Sequence, residues 1–221
     1  MSRWMRNRGL IATLSPGSGA ADKYRRLKTG IEWSCRDEGM KTIAIASAEP
    51  GEGKSTTSSN IAVAYANAGR RVLLVDTDLR SPVQHRIFEL PNDAGLSTAL
   101  AGRAGLDKIA SRTAFANLQV VCAGPMPPNP SELLESDAMS ELLAAAKSRY
   151  DIVIVDTTSM AAAADAMIVA DKCDGAVLVI RRGKTKLDAV LKAKETLSSG
   201  RVKVVGAVFN RRGRWTGSPS R

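Results

Sequence analysis

The sequence predicts an α/β fold in which a mostly parallel sheet carries helices on both faces. Six short apolar runs alternate with helix-like segments along most of the 221 residues. Hydrophobic residues make up 44% of the chain and aromatic residues only 4%, so the core is built from Ala, Val, Ile and Leu. Strands continuous in such residues are typical of a parallel sheet that is buried on both sides. A single domain accommodates the whole pattern.

The alternation defines six predicted strands and four predicted helices. The strands are expected at 41–47, 70–76, 117–124, 151–156, 174–180 and 202–210. The helices are expected at 19–34, 54–69, 131–149 and 185–199. Ser131 marks the start of the third helix, because serine is a common N-cap residue. In the first helix Tyr24, Leu27 and Ile31 fall on one face, which leaves charged residues on another.

The chain is strongly basic, with a formal net charge of +10 and a pI near 9.9. Much of the excess lies near the two ends, in "SRWMRNR" and "NRRGRWTGSPSR". Such a charge favours acidic partners: nucleic acid, anionic lipid or an acidic protein segment. No helix-turn-helix or stacking-aromatic pattern accompanies the basic ends, so no nucleic-acid partner is expected.

Two features of the sequence predict its location. No apolar run approaches the roughly 20 residues needed to span a bilayer, and "GLIATL" is too short for a signal sequence. The cysteines Cys35, Cys122 and Cys173 are odd in number and widely spaced, which predicts buried free thiols in a reducing cytosol. We therefore expect a soluble cytoplasmic protein, with any membrane link running through a partner or the basic ends.

The stretch "EPGEGKST" predicts a phosphate-binding loop, because it follows a strand and opens a helix. Gly51 and Gly53 allow backbone N–H groups to turn toward phosphate oxygens. Lys54 is expected to reach the β- and γ-phosphates, and the Ser55 hydroxyl to ligate Mg²⁺. The strict pattern has glycine at position 48, where this chain has Ala48. The nucleotide-binding set predicted from the loop is Pro50, Gly51, Glu52, Gly53, Lys54, Ser55 and Thr56.

Acidic residues end two of the predicted strands. Asp76 and Asp78 follow "VLLV", and Asp156 follows "DIVIV" in the pattern of a Walker B strand. Ligands of open α/β sheets bind at the carboxyl ends of the strands, so these acids are expected near the phosphates. If the pleat of the strand continues, Asp76 and Asp78 point to the same side. Asn210 ends the last strand and is a candidate to hydrogen-bond an adenine edge, although such an Asn usually makes a turn.

The single histidine and two of the tyrosines are assigned no role in phosphate binding. His85 is the only histidine, so no histidine metal cluster or relay pair is available, and we expect it at a surface or interface. Tyr65 and Tyr150 lie within or beside apolar elements and are interpreted as packing residues.

With these motifs in place, the chain resembles the bacterial tyrosine kinases of capsule and exopolysaccharide synthesis, the BY-kinases. The similar pieces are "SAEPGEGKSTTSSNIA", "VLLVDTDLRSPVQHRIF", "GPMPPNPSELLESDAM" and "YDIVIVDT" with a following "DA" at Asp165 and Ala166. The overall likeness to the family extends over about 10–211. "PPNPSELLESDAM" is the most diagnostic piece, because generic P-loop proteins do not need it.

The resemblance implies a P-loop NTPase-like kinase that transfers the γ-phosphoryl group of Mg-ATP to tyrosine hydroxyls. Its catalytic residues would be Lys54, Asp76 and Asp78, with Asp76 or Asp78 accepting the tyrosine proton. Its metal ligands would be Ser55, Asp78 and Asp156. The cofactors implied are therefore ATP and Mg²⁺.

The resemblance also implies partners and a division of the chain. "DKYRRLK" is similar to the family's oligomerisation motif, with Asp22, Arg25 and Lys28 at its charged positions. A lysine at 28 in place of arginine loses a bidentate contact, which would weaken a ring of subunits. The implied parts are a basic segment 1–18, an oligomerisation segment 19–36, an ATP-binding kinase domain 37–211 and a basic tail 212–221. A membrane-embedded polysaccharide co-polymerase would act as adaptor and recruit the kinase to the inner face of the membrane.

Two departures from the family pattern bear on activity. The family usually has D-T-P-P at the Walker B end, where this chain has "DTTS" at 156–159. The family usually ends in a cluster of tyrosines, whereas no tyrosine follows Tyr150 here. Three interpretations stay open: the tail has been cut off, another substrate receives the phosphate, or transfer has been lost.

Two other functions compete with the kinase. A partitioning-type ATPase shares the fold, but its signature lysine early in the loop is replaced here by Glu49. A weakly catalytic scaffold that binds ATP and assembles on its adaptor is favoured by the missing tyrosines and the DTTS loop. Slow ATP turnover without phosphotyrosine would distinguish this scaffold from a kinase.

Overall fold

The structure of the protein is a computed structural model that describes Leu10, residues 19–36 and residues 39–211. The strands in this part of the chain are β1 (Thr42–Ser47), β2 (Val72–Asp76), β3 (Ala110–Arg112), β4 (Leu118–Val121), β5 (Ile152–Asp156), β6 (Gly175–Arg181) and β7 (Lys203–Asn210). The helices are α1 (Gly19–Cys35), α2 (Lys54–Asn67), α3 (Gln84–Phe88), α4 (Leu96–Leu100), α5 (Leu106–Ile109), α6 (Pro130–Glu135), α7 (Asp137–Arg149), α8 (Asp165–Asp171) and α9 (Leu187–Ser198).

The strands form one sheet in the order β3-β4-β2-β5-β1-β6-β7. All neighbouring strands are parallel except β3, which runs antiparallel to β4 at the edge. The strands β1, β2 and β5 are buried along their whole length, so their sequences are continuous in apolar residues up to their last positions. Because β1, β2 and β5 are neighbours, the loops leaving their carboxyl ends meet at one place.

Helices cover both faces of the sheet, as the sequence predicts. Successive residues of a strand point to opposite faces, so Ile43 and Ile45 contact one cluster while Ala44 and Ala46 contact the other. The first cluster includes residues of α1, α2 and α3, and the second includes residues of α4 to α9. Both clusters consist almost entirely of aliphatic side chains and alanine, in keeping with the low aromatic content.

The single helix predicted over 131–149 is wrong, because the segment forms two helices, α6 and α7. Between them Ser136 has φ −56° and ψ 158°, which is not helical. Its hydroxyl donates to the Leu133 carbonyl at 2.8 Å, and its N–H donates to the Glu132 carbonyl at 3.1 Å. Serine side chains offer such local partners to the backbone, and here this ends the first helix. Helix α6 also begins at Pro130, one residue before the predicted start.

The sequence analysis also missed β3 and the short helices α3, α4, α5 and α8. Strand β3 has only three residues and α5 only four, too few to show a period of two or of 3.6 residues. The other boundaries lie within three residues of the predicted ones, and several coincide with them.

Several further expectations concern single residues and the two ends. The three cysteines are buried free thiols, as predicted. Tyr65 is buried and Tyr150 half-buried, in agreement with packing roles, while His85 is half-buried. The predicted basic segment 1–18, apart from Leu10, and the predicted tail 212–221 lie outside the described residues.

Candidate active site

The loop between β1 and α2 has the backbone of a phosphate-binding loop. Gly51 and Gly53 have φ of 76° and 94°, in the left-handed region that favours glycine. A Cβ at Gly53 would also collide with the amide group of Asn210. Helix α2 begins at Lys54, so the unpaired N–H groups of its first turn lie beside the loop. Such a helix terminus binds anions, and the loop is therefore shaped for phosphate oxygens.

The departure at Ala48 does not disturb this loop. Ala48 is buried, and Glu89 is the one non-glycine residue with positive φ among those the structure describes. The backbone at 48 therefore needs no glycine. Its carbonyl accepts a hydrogen bond from the Ala161 N–H at 3.0 Å, which ties the loop to the segment after β5.

The buried side chain of Glu52 braces the loop from inside. Its carboxylate accepts hydrogen bonds from the Glu49 N–H at 3.1 Å and from the Thr185 hydroxyl. Its backbone carbonyl accepts one from the Asn210 amide at 2.9 Å. Asn210 thus contacts the phosphate-binding loop, and its predicted contact with an adenine edge stays a prediction. Of the other predicted loop residues, Pro50 is exposed and Thr56 half-buried.

Two acidic residues lie side by side at the ends of neighbouring strands. Asp76 of β2 and Asp156 of β5 are register partners, and both side chains are completely buried. The Asp76 carboxylate accepts three backbone hydrogen bonds, from Asp78, Val83 and Gln84, at 3.2, 3.2 and 3.0 Å. In the part of the chain that the structure describes, neither carboxylate forms a salt bridge.

Burial of this pair makes its negative charge costly. Burial raises the pKa of Asp76 well above its ordinary value, and the charge of Asp156 raises it further. Burial also raises the pKa of Asp156, although hydrogen bonds from Gln84 and Ser55 and the charge of Lys54 oppose this effect. A cation placed between the phosphate-binding loop and this pair would remove the cost.

Gln84, the first residue of α3, joins the three parts of the site. Its side-chain amide donates to the Asp156 carboxylate at 2.7 Å and to the Ser55 carbonyl at 3.2 Å. Its side-chain oxygen accepts from the Ser59 hydroxyl at 2.8 Å, while its backbone N–H holds Asp76. The sequence analysis missed Gln84 as a site residue. It lies in the family-like stretch 72–88, but nothing in that stretch singles it out and its partner Asp156 is 72 residues away.

Lys54 and Ser58 complete the inner side of the site. The Ser58 hydroxyl lies 2.9 Å from the Asp156 carboxylate and 3.0 Å from the Lys54 carbonyl. The Lys54 side chain is largely buried, and its charge acts on Asp156. The loop and the Walker B strand are therefore brought together as the sequence predicts.

Asp78 occupies a different environment from Asp76. It is half-buried and lies beyond the end of β2, in a turn where its carboxylate accepts the Ser81 N–H at 2.9 Å. The strand does not continue to position 78, so the pleat that the sequence analysis assumed ends before it. Of the two acids, Asp78 is the one that solvent or a substrate can reach.

The loop after Asp156 carries a buried polar atom that has no partner among the described residues. Thr158 is 3% exposed, and its hydroxyl has no hydrogen-bond partner among the described residues. Buried hydroxyls are normally paired, so such an atom calls for a ligand or water. Within the described chain no three His, Cys, Asp or Glu side chains converge to hold a metal alone. A Mg²⁺ ion, which keeps several waters and binds phosphate oxygens, fits one or two carboxylates and a hydroxyl.

The predicted oligomerisation residues lie on α1 but in unequal settings. Asp22 and Arg25 are exposed and form an ion pair with each other. The side chain of Lys28 is only 16% exposed, is 2.7 Å from the Glu32 carboxylate and lies over the ring of Tyr65. Lys28 is therefore held within its own subunit.

The fold and the site together define a P-loop nucleotide-binding protein, and comparisons with known proteins identify its family. A family model described as an AAA domain matches residues 40–181. Tyrosine-protein kinase YwqD of Bacillus subtilis (strain 168) is 44% identical over 209 residues, which cover 95% of this chain and 87% of the relative. The chain belongs to the bacterial tyrosine-protein kinase family.

Solved structures agree with this assignment. The kinase domain of the Escherichia coli tyrosine kinase Etk is 32% identical, with a TM-score of 0.89 over 100% of this chain and 91% of that one. The septum site-determining protein MinD of Pyrococcus horikoshii OT3, solved with Mg-ADP, is 26% identical, with a TM-score of 0.69 over 80% of this chain and 72% of that one.

Within the described residues, no helix combines the length and the apolar character needed to cross a bilayer.

Proposed function

We propose that this protein transfers the γ-phosphoryl group of Mg-ATP to tyrosine hydroxyls of other polypeptides. The observation that carries the proposal is the juxtaposition of a phosphate-binding loop with the buried pair Asp76 and Asp156. The kinases YwqD and Etk, and the Mg-ADP in MinD, support the same chemistry and the same cofactors.

Different residues of the site would bind the phosphates and the metal ion. The N–H groups around Gly51 and Gly53 hold phosphate oxygens, and Lys54 neutralises the charge that develops on the β- and γ-phosphates. Ser55 and Asp156 would hold Mg²⁺, which supplies positive charge for the β- and γ-phosphate oxygens. Asp76 lies beside Asp156 at the same edge of the sheet, and its negative charge would favour a cation there. Asp78, the other predicted ligand, is the more accessible of the two acids of the DTD stretch.

The reaction itself is a direct displacement. A tyrosine oxygen forms a bond to the γ-phosphorus as the bond from that phosphorus to the β–γ bridging oxygen breaks, and ADP leaves with that oxygen. The tyrosine proton passes to a carboxylate. We assign this role to Asp78 in preference to Asp76, because Asp78 is half-buried while the Asp76 carboxylate is fully buried under three N–H groups.

The three tyrosines of this chain are poor acceptors. Tyr65 is 2% exposed, and burial raises its pKa. Burial raises the pKa of Tyr24 to about 12. The hydroxyl of Tyr150 donates to Gln119 at 2.7 Å. Tyr150 lies just before the amino end of β5, away from the phosphate-binding loop. The acceptor that we propose is therefore a tyrosine other than these three.

The wider setting follows from the family. We propose that a membrane-embedded adaptor of polysaccharide synthesis recruits the kinase to the inner face of the membrane, and that subunits assemble through α1 into a ring. Asp22 and Arg25 are exposed on α1, whereas Lys28 would have to leave Glu32.

The test is transfer of labelled γ-phosphate from Mg-ATP to a tyrosine-rich peptide, with Lys54→Met as control and the phosphate mapped by mass spectrometry. Phosphotyrosine on the peptide that depends on Lys54 is the expected result. Release of free phosphate without phosphotyrosine would overturn the proposal and favour an ATPase of the partitioning type or an ATP-driven scaffold.

A further inference from the structure

Three side chains from separate segments meet beside the acids of the site. Arg80 lies in the loop after β2, Ser131 is the second residue of α6, and Asp165 is the first residue of α8. The Arg80 Nε is 2.8 Å from one Asp165 oxygen, and its Nη2 is 3.1 Å from the Ser131 hydroxyl. That hydroxyl is in turn 2.5 Å from the other Asp165 oxygen.

The contacts of Asp165 make the cluster rigid. Its side chain is only 1% exposed, so its charge must be compensated inside the protein. Burial alone would raise the pKa of Asp165, but the hydrogen bonds from Arg80 and Ser131 outweigh burial and hold it below its ordinary value. A guanidinium can serve one carboxylate with two N–H groups at fixed angles, which the single ammonium of lysine cannot do.

The cluster joins the loops that carry the reacting groups. Arg80 is two residues beyond Asp78, and Asp165 ends the segment that leaves β5 after Asp156. Ser131 follows the proline-rich segment 125–130, which runs along one side of an open groove of about 410 Å³. These are parts of the three stretches that resemble the kinase family outside the phosphate-binding loop, and the nucleotide chemistry uses none of the three side chains.

We propose that Arg80, Asp165 and Ser131 form a positioning clamp for phosphoryl transfer. The clamp fixes the loop 77–83, and with it Asp78, relative to the loop 157–164 and the proline-rich segment. This inference rests on the proposed kinase function. The phosphate-binding loop is braced separately, by Glu52 and Asn210. The clamp therefore acts on the rate of transfer and leaves nucleotide affinity unchanged.

The experiment compares Arg80→Lys with Arg71→Lys. Arg80 contacts Asp165 through Nε at 2.8 Å and Nη2 at 3.5 Å, and Arg71 likewise contacts Asp151 through two nitrogens, at 3.2 and 2.7 Å, at the opposite end of β2. The two variants thus make the same chemical change at the two ends of one strand. For Arg80→Lys we expect kcat for transfer to the tyrosine peptide to fall roughly 10- to 100-fold, since small misplacements of reacting groups have effects of that size. The KM for ATP should stay within about twofold, and Arg71→Lys should leave both constants within about twofold of wild type.

Ser131 supplies a milder pair of variants in case Arg80→Lys does not fold. Ser131→Ala removes the hydroxyl that donates to Asp165 and accepts from Arg80, and we expect kcat to fall about threefold. Ser131→Thr keeps the hydroxyl and should restore most of that loss. The thermal midpoint of each protein is measured alongside, and rates are compared at a temperature at which all are folded.

The outcomes separate the clamp from the function on which it rests. If wild type makes no phosphotyrosine, the proposed function fails, and the clamp fails with it. If wild type is active but Arg80→Lys loses no more kcat than Arg71→Lys, or loses ATP affinity instead, the clamp is overturned and the function stands. If Arg80→Lys does not fold, equal kcat values for Ser131→Ala, Ser131→Thr and wild type overturn the clamp.

Discussion

The two ends of strand β5 carry the same residue type in opposite situations. At the amino end, Asp151 is paired with Arg71 near the surface, and hydrogen bonds from Arg71 lower its pKa. At the carboxyl end, Asp156 is completely buried beside Asp76, and burial raises its pKa. One end of the sheet compensates its charges within the chain, and the other leaves two carboxylates together without a salt bridge among the described residues.

This difference indicates which end was shaped for a ligand. Buried charges without a paired cation reduce stability, and such arrangements are characteristic of functional sites. The exposed pairs at the amino end contribute little to stability and satisfy local charge. The carboxyl end therefore carries uncompensated negative charge, which the cation bound with a nucleotide is expected to neutralise.

The largest difference between the two ends should appear when a lysine is removed from each. Lys54→Met should lower the rate of phosphotyrosine formation by about 10³-fold, because Lys54 neutralises charge that develops during transfer. The matched control is Lys41→Met at the amino end, where the exposed lysine donates to the Lys147 carbonyl at 3.1 Å. That control should keep the wild-type rate, and a comparable loss in both variants would contradict the division between the ends.

Gln84→Ala should have the next largest effect. It removes the donor to Asp156 and the contact with Ser55, so transfer should fall roughly 10- to 100-fold, as is usual when a partner of a metal ligand is lost. Steady-state kinetics with a tyrosine peptide measures the loss. Gln119→Ala, which removes the partner of Tyr150, is the control. An unchanged rate in Gln84→Ala would show that Asp156 needs no such support.

Asp156→Asn should stabilise the ligand-free protein while it weakens Mg²⁺ binding. The replacement amide keeps an oxygen for Gln84 and turns its NH₂ group toward the Ser58 hydroxyl. Because the pKa of Asp156 in the folded protein lies above 3.8, wild type loses stability as the pH rises from 3.8 through the raised value. The stability advantage of the variant should grow over that window by about 1.4 kcal/mol for each unit by which the pKa is raised.

Urea unfolding of wild type and Asp156→Asn at several pH values measures this advantage. Asp151→Asn should show the opposite pH dependence. Because the pKa of Asp151 is lowered, its charge stabilises the folded state as the pH rises, and the variant should become less stable than wild type. A pH-independent difference between wild type and Asp156→Asn would contradict the account of the buried pair.

The smallest expected effect is at Thr158. Thr158→Val removes a buried hydroxyl that has no partner among the described residues, so the free energy of unfolding without nucleotide should rise by about 1 kcal/mol. Thr77→Val is the control, since its hydroxyl donates to the Asp156 carbonyl at 2.7 Å and its loss should destabilise the protein. Destabilisation in both variants would mean that the Thr158 hydroxyl is paired without a ligand.

The sequence predicts the parts of the site that depend on strand ends. Asp76 and Asp156 end buried strands, and Lys54 and Ser55 open the helix after another, while parallel strands bring their carboxyl ends to one edge. Gln84 and Arg80 could not be predicted in the same way. Their partners Asp156 and Asp165 lie 72 and 85 residues further along the chain, and only tertiary packing brings them together.

Among the elements of the fold, too, buried strands could be predicted from the sequence, whereas a feature that depends on one side-chain contact could not. The buried strands β1, β2 and β5 were predicted to within two residues, because burial on both faces forces continuous apolar sequence. The break at Ser136 was missed, because a single serine hydroxyl that turns back to the Leu133 carbonyl leaves no trace in the periodicity.

Calorimetric titration with ADP, in the presence of Mg²⁺ or of a chelator, tests most directly whether the carboxyl end is a cation site. Wild type should bind Mg-ADP at least about tenfold more tightly than ADP alone, a difference of about 1.4 kcal/mol, and Asp156→Asn should lose that difference. Equal affinity of wild type for ADP with and without Mg²⁺ would contradict the account.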